Sequence, residues 1–125
     1  MSAAREGASV TLPWPPRELS PNARVHWAKR SKVAKAYRQR CGWLTKAAGL
    51  PVPDGVVHLW VMFCPPDRRR RDDDNAIAAF KAGRDGIADA LGIDDSRFVL
   101  HPMLSETISG EVRVTITGGP DERGE

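Results

Sequence analysis

Residues 56–75, with the sequence VVHLWVMFCPPDRRRRDDDN, contain the features that decide the fold. The first nine residues are almost all apolar, which is typical of a central strand covered on both faces. Two prolines end this strand, because proline cannot donate a hydrogen bond to a neighbouring strand. A charged loop follows at 67–74, and a helix starts near Asn75, with Asp74 or a neighbouring aspartate as its N-cap. The stretch therefore places charged side chains at one end of a buried strand.

Other strands and helices surround this centre. The apolar spacing predicts a strand at 10–14, a helix at 27–50, a second helix at 75–92, and two strands at 98–104 and 111–117. The last two strands are expected to pair as a hairpin. This order of elements predicts an α/β (α+β) domain, with a single mixed β-sheet and helices packed on it.

The chain has the size and composition of one globular domain. Its 125 residues are 41% hydrophobic and 28% charged, which excludes a wholly disordered chain and leaves too little sequence for two ordinary cores. We expect a flexible N-terminus at 1–8, one domain at 9–117 and a disordered tail at 118–125.

The sequence lacks the marks of several other protein classes. It contains no apolar run of membrane-spanning length and no N-terminal secretory signal, so we expect a cytoplasmic protein without a membrane partner. The two cysteines match no disulfide or zinc framework and are expected to be reduced. No Walker-type glycine loop, CxxC or GxSxG motif is present, so a nucleotide cofactor, zinc chemistry and acyl-enzyme chemistry have no support.

The positive charges are concentrated in two segments. No acidic residue occurs between Leu19 and Pro53, whereas this segment contains eight lysines and arginines. A basic segment without compensating acids favours binding to a nucleic-acid backbone over a merely solvated helix face. The predicted DNA contacts are Lys29, Arg30, Lys32, Lys35 and Arg38 from this segment, and Arg68, Arg69, Arg70 and Arg71 from the charged loop. Trp14, Trp27 and Tyr37 are predicted to be core residues, with base stacking as the alternative.

Carboxylates next to these arginines indicate a divalent-metal site. Asp72 and Asp74, two residues apart in an extended segment, would project to the same side, and carboxylate oxygens suit Mg²⁺ or Mn²⁺. Asp94 and Asp95 follow the helix, and a return of the chain could bring one of them to this pair, although Asp-Asp after Gly-Ile is also ordinary turn chemistry. Aspartates at a helix start also cap free amide groups, which is the alternative interpretation of Asp72 and Asp74.

A cation near the carboxylates could assist phosphodiester hydrolysis. Lys81 lies seven residues after Asp74, two helical turns along the same face, and is the candidate for this role, with Arg84 about one turn further as an alternative. The alternative for Lys81 is a surface ion pair with Asp85, four residues later.

The same residues identify a family that the chain resembles, the RusA-type Holliday junction resolvases of phages and prophages. The matching pieces are Leu12-Pro13-Trp14-Pro15-Pro16 with Asn22 shortly after, Asp67 with the four arginines, the Arg-Asp-x-Asp-Asn core at 71–75, and the Asp94-Asp95 pair. The resemblance implies a homodimeric, Mg²⁺-dependent endodeoxyribonuclease that acts in recombination and repair in a bacterial or phage-infected cell. Such an enzyme resolves four-way DNA junctions by symmetric paired nicks, and Mn²⁺ is a possible substitute metal.

The resemblance also implies roles for single residues. The family's essential carboxylates, which bind the metal and are catalytic, fall on Asp72, Asp74 and Asp95. The family lysine stands three residues after the motif asparagine, where this chain has Ala78. Lys81 is assigned that role, because it keeps a four-residue spacing to Asp85.

Two other functions fit the residues alone. One is a branched-DNA-binding protein without catalysis, in which the aspartates only cap a helix. The other is a metal-dependent nuclease that acts on flaps or RNA. A homodimer fits the resolvase interpretation best, because resolution of a junction needs two matched nicks. The second face of strand 56–64, including Trp60, is the expected dimer surface.

Overall fold

The computed structural model describes residues 8–119, which form one four-stranded sheet and three helices. The elements in chain order are β1 (Ala8–Pro13), α1 (Trp27–Ala48), β2 (Val57–Cys64), α2 (Asp73–Ala79), α3 (Lys81–Leu91), β3 (Phe98–Leu104) and β4 (Glu111–Thr117), with short 3₁₀ turns at Arg17–Leu19 and Asp95–Arg97. The prediction of an α+β fold with a single mixed sheet is confirmed.

The strands lie in the order β1-β4-β2-β3. β4 is antiparallel to both of its neighbours, whereas β3 is parallel to β2. The prediction that the last two strands form a hairpin is therefore wrong, because β4 inserts between β1 and β2 and leaves β3 at the edge. Parallel neighbours need a crossover connection, and α2 and α3 supply it between β2 and β3.

α1 is continuous although a glycine lies near its middle. It runs unbroken through Gly42 and ends at Gly49, whose left-handed φ of 63° is typical of a helix C-terminus. Gly42 lies where α1 touches α3. A Cβ atom built on Gly86 of α3 would come 2.3 Å from the carbonyl oxygen of Arg38 and 3.0 Å from the amide nitrogen of Gly42. Only glycine at position 86 permits this approach.

The helix predicted at 75–92 is in fact two helices that meet at Phe80. α2 begins two residues earlier than expected, with Asp72 as its N-cap, and α3 begins at Lys81. The Phe80 ring is buried and packs edge-on against Phe63 and Tyr37. This aromatic anchor in the core explains why the chain bends there although the apolar spacing continues.

The helices cover one face of the sheet. Leu59, Val61 and Phe63 of β2 point to this face and are fully buried together with Val112 and Val114 of β4. On the opposite face Trp60 and Met62 are only half-buried, and they border a groove of ≈320 Å³. The prediction that β2 is a central strand is confirmed, but its expected cover on both faces is wrong for the single chain, since the helices lie on one side.

A buried hydrogen bond joins α1 to the end of β1. The Tyr37 hydroxyl donates to the carbonyl oxygen of Pro13 over 2.6 Å, and burial raises the pKa of this phenol. The bond fixes the point from which the chain leaves the sheet towards Trp14 and the following loop. The prediction that Tyr37 is a core residue is confirmed.

Other predictions concern the thiols, the termini and the membrane. Cys41 and Cys64 are buried free thiols, as expected. Apart from Ala8, which begins β1, and Gly118 and Gly119, the segments predicted to be flexible lie outside the described residues. No helix within residues 8–119 has the length and apolar character needed to cross a bilayer.

The helix contact gives a stability prediction. Gly86→Ala is expected to lower the free energy of unfolding by about 3 kcal/mol, because its methyl group would overlap the backbone of α1. Gly42→Ala is the matched control, since its Cβ would meet its nearest neighbour, the Gly86 carbonyl oxygen, at 3.2 Å. Alanine also favours a helix by about 1 kcal/mol over glycine, so we expect little change for the control. Urea unfolding of the two variants checks the order, and equal losses would contradict it.

Candidate metal centre and nucleic-acid interface

Three consecutive carboxylates gather at the start of α2. Asp72 is extended, with φ −100° and ψ 130°, and its Oδ1 accepts a hydrogen bond of 2.9 Å from the Asp74 amide. The capping interpretation is therefore confirmed for Asp72. Asp73 and Asp74 occupy the first helical turn, and all three side chains are exposed. One carboxylate oxygen from each lies within 4.8 Å of the others.

This donor set fits a hard divalent cation. Mg²⁺ binds oxygen ligands at about 2.1 Å, so oxygens on opposite sides of the ion lie about 4 Å apart. The separations in the carboxylate group do not exceed 4.8 Å, so the three oxygens lie near enough to face one ion. Asp72 uses one oxygen as a cap and has a second one to offer. Asp73, which the sequence analysis did not count as a ligand, belongs to the group as fully as Asp74.

Asp95 does not belong to this group in the structure. It begins the 3₁₀ turn after α3, where Asp94 is the N-cap, and its Oδ2 lies 3.9 Å from Nη2 of Arg84. The turn chemistry expected for the Asp94-Asp95 pair is confirmed. The role of Asp95 as a metal ligand stays a prediction, because the structure does not bring it to Asp72 and Asp74.

Lys81 makes the surface ion pair that was its alternative interpretation. Its Nζ lies 3.0 Å from Oδ1 and 3.2 Å from Oδ2 of Asp85, one turn later on α3. The Lys81 side chain is 59% exposed, so the pair can open at little cost. Ala78, at the family's lysine position, is an exposed residue of α2.

Asp67 organises the arginine loop. Its Oδ1 accepts from the Arg69 amide at 2.9 Å and lies 2.9 Å from Nη1 of Arg71. These contacts, the one with the Arg71 side chain first, lower the pKa of Asp67 to about 2. The Arg71 guanidinium also lies over the Trp14 ring, 5.4 Å from its centroid. The contacts of Asp67 with Arg69 and Arg71 thus stabilise the loop conformation. Arg68 and Arg70 are exposed.

A cleft of ≈1300 Å³ separates the arginine loop and the start of α2 from the chain between β1 and α1. Of the residues predicted from sequence, it is lined by Lys29, Arg69, Arg70, Arg71 and Asp72. It is also lined by residues that the sequence analysis did not assign to a site, namely Arg17, Arg24, His26 and Asp73. Asn22, one of the pieces of the family resemblance, lies there too. The structure therefore brings the two basic segments to one place, beside the carboxylates.

The remaining predicted DNA contacts on α1 differ in availability. Arg30 donates to the carbonyl oxygens of Ser20 and Ala23, at 3.2 and 2.8 Å, and so braces the loop that forms one wall of the cleft. Arg38 makes a two-pronged ion pair with Asp89 of α3, at 2.6 and 2.8 Å. Lys32 and Lys35 are exposed beyond the cleft. A structural role is shown for Arg30 and Arg38, and their DNA contacts stay predictions.

The Asp67 contacts predict a measurable titration. The carboxyl carbon of Asp67, followed by NMR, should titrate at about pH 2, and Arg71→Gln should raise this pKa towards the ordinary 3.8. Because the pKa is lower in the folded chain, the contribution of Asp67 to stability is complete above about pH 4 and is lost as the pH falls through 2. Arg68→Gln is the control and should leave the titration unchanged. An unshifted pKa in Arg71→Gln would contradict the assignment.

Comparison with known proteins adds a family to this geometry. No family model matches the chain. An uncharacterized protein of Xylella fastidiosa is 50% identical over an alignment of 128 positions, gaps included, that covers 94% of this chain and 81% of that protein. The crossover junction endodeoxyribonuclease RusA of Escherichia coli K12 is 32% identical over an alignment of 121 positions that covers 87% of this chain and 92% of the enzyme. The enzyme of the same name from Enterobacteria phage 82 is 31% identical over 86% of this chain and 92% of its own.

These matches run along most of both chains. They include proteins from a bacterium and from a phage. The chain belongs to the RusA family.

Proposed function

We propose that the protein is a metal-dependent, structure-selective endodeoxyribonuclease that resolves four-way DNA junctions by paired nicks. The observation that carries the proposal is the carboxylate group at 72–74, of which Asp72 and Asp73 line a basic cleft, in a chain of the RusA family. A nuclease for branched DNA needs both features at one place: cations that bind phosphates and carboxylates that hold a metal.

Asp72 and Asp74 are the proposed ligands of Mg²⁺, with Mn²⁺ as a substitute, and Asp73 offers a third carboxylate at the same place. When bound there, the metal supplies an activated water and stabilises the added charge on the phosphate. Asp95 is kept as a further carboxylate ligand on the family pattern alone. In the structure it lies near Arg84 and not in the group formed by the other three.

The arginines and Lys29 bind the DNA backbone in this proposal. Guanidinium groups bind phosphate oxygens in pairs, and Arg69, Arg70 and Arg71 line the cleft beside Asp72. Asp67 keeps Arg69 and Arg71 in place before DNA arrives, so less side-chain entropy is lost on binding. The same positive charges offset the mutual repulsion of the carboxylates.

A homodimer completes the proposed function. One chain has one carboxylate group of this kind within its described residues, whereas symmetric nicking needs two. The uncovered face of the sheet, with Trp60, Met62 and Met103 around its groove, is the proposed surface between the two chains.

A cleavage assay with Asp74→Asn tests the site. We expect cleavage of a labelled synthetic four-way junction to fall by ~100-fold or more, because a metal ligand is lost. Junction binding should be kept or tightened, since a charge that repels phosphate is removed. Asp54→Asn, which removes an exposed carboxylate from the loop before β2, is the matched control and should cleave normally.

The substrates and metals in the same assay separate the competing functions. Paired nicks at the junction that need Mg²⁺ or Mn²⁺ and Asp74 support the proposal. Junction binding without cleavage in every metal would identify a non-catalytic branched-DNA-binding protein, in which charge reversal of Arg69 and Arg70 is the damaging change. Equal cleavage of flaps, RNA or linear arms would identify a nuclease of another specificity.

Lys81 has its own test. If it assists the phosphate chemistry, Lys81→Met should lower the cleavage rate by about 100-fold while junction binding changes little. Asp85→Asn frees Lys81 from its ion pair and should not reproduce this loss. Lys46→Met, near the far end of α1, is the charge-matched control. A normal cleavage rate in Lys81→Met would contradict this role and would show that Lys81 only forms a surface ion pair.

A further inference from the structure

Trp27 is a large aromatic residue that the fold does not use. It is the first residue of α1 and is 75% exposed, whereas Tyr37 is buried and Trp14 is half-buried against Phe63. An exposed indole leaves much apolar surface in water, and a ligand that stacks on the ring would cover that surface. The Trp27 ring is therefore available for contact with a ligand.

The Trp27 ring is held in a defined position. It stacks on the His26 ring, with 5.6 Å between the centroids and 29° between the planes. His26 is itself fixed, because its Nδ1 accepts a hydrogen bond of 3.1 Å from the Ala28 amide as the N-cap of α1. A restrained ring loses little rotational freedom when a ligand stacks on it.

The surroundings of Trp27 select a nucleic acid as that ligand. His26 and Lys29, on either side of it in sequence, both line the basic cleft. The segment from Leu19 to Pro53 contains no acidic residue that would repel phosphate. An aromatic ring at the edge of a cationic groove is the arrangement that binds unstacked bases in single-stranded nucleic acids.

We propose that Trp27, restrained by His26, stacks on a base that is exposed at the branch point of a DNA junction. The proposal rests on the proposed function and adds a structure-selective contact to it. In a linear duplex each base face is covered by the next base pair, so only groove edges and the backbone are within reach. A base at a branch point can present its face, so this contact favours branched over linear DNA.

A matched pair of tryptophans makes the proposal testable. Trp43 lies on the same helix and is 71% exposed. Neither tryptophan lines the cleft itself, but His26 and Lys29 beside Trp27 do, whereas no residue near Trp43 does. We compare Trp27→Ala, Trp27→Phe and Trp43→Ala with the unmodified protein, in chelator so that the DNA is not cut. The readouts are the dissociation constants for a four-way junction and for a linear duplex of the same sequence, and the fluorescence of 2-aminopurine placed at the branch point.

The expected result is a selective loss. Trp27→Ala should weaken junction binding about 5-fold to 100-fold, the range for one stacked base, and change duplex binding less than about 2-fold. Trp27→Phe should recover most of the affinity, and Trp43→Ala should bind like the unmodified protein. The 2-aminopurine signal should be quenched by the unmodified protein and less so by Trp27→Ala.

Other results would overturn the proposal. Equal losses for junction and duplex, or the same loss in Trp43→Ala, would show that Trp27 does not recognise the branch point. Unchanged junction binding in Trp27→Ala would refute the stacking contact while the proposed function stands. Failure of the unmodified protein to prefer the junction would refute the proposed function itself. Thermal unfolding of each variant, expected within about 2 °C of the unmodified protein, shows that a loss of binding is not a loss of fold.

Discussion

The contact between the backbones of α1 and α3 at Gly42 and Gly86 fixes how these two helices pack against each other. α1 begins at the basic side of the cleft, while α3 continues from α2, whose first turn presents the carboxylates. Because no side chain separates the helices at this crossing, backbone contact sets the distance between them there. The Arg38–Asp89 ion pair ties the same two helices. The packed helices form the frame from which the loops that line most of the cleft extend.

The fold could be predicted from sequence where local patterns decide, and only there. The apolar run at 56–64 shows a central strand, and the glycine and proline positions place most of the ends of elements. The hairpin prediction failed because strand order depends on which distant segments pair, and β4 finds β1 and β2 instead of β3. The break at Phe80 was missed for a related reason. Apolar spacing cannot show that one ring of the stripe anchors in the core.

The candidate site, like the fold, could be predicted from sequence only in part. The carboxylates and arginines adjoin in sequence, so their proximity in space could be predicted. The opposite wall of the cleft depends on the Tyr37–Pro13 hydrogen bond and on the Arg30 brace, which join residues far apart in sequence. Asp95 shows the converse, since a sequence pattern suggested a proximity that the described fold does not have. Of the three aromatic residues predicted to lie in the core, Trp27 is the one for which the prediction was wrong. That prediction rested on the general tendency of aromatic side chains to be buried, which does not show that Trp27 lies at the exposed start of α1.

The sheet order has a consequence for how the chain folds during synthesis. Within residues 8–119, β4 is the last element to be translated, yet it is the strand that joins β1 to β2. A nascent chain that ends before Glu111 can form α1 and the β2–β3 crossover unit, but its first strand has no partner in the sheet. Contacts between such distant segments make folding slow and leave strand edges exposed in partial chains. The two walls of the cleft are therefore both translated before the sheet that sets them opposite each other is complete.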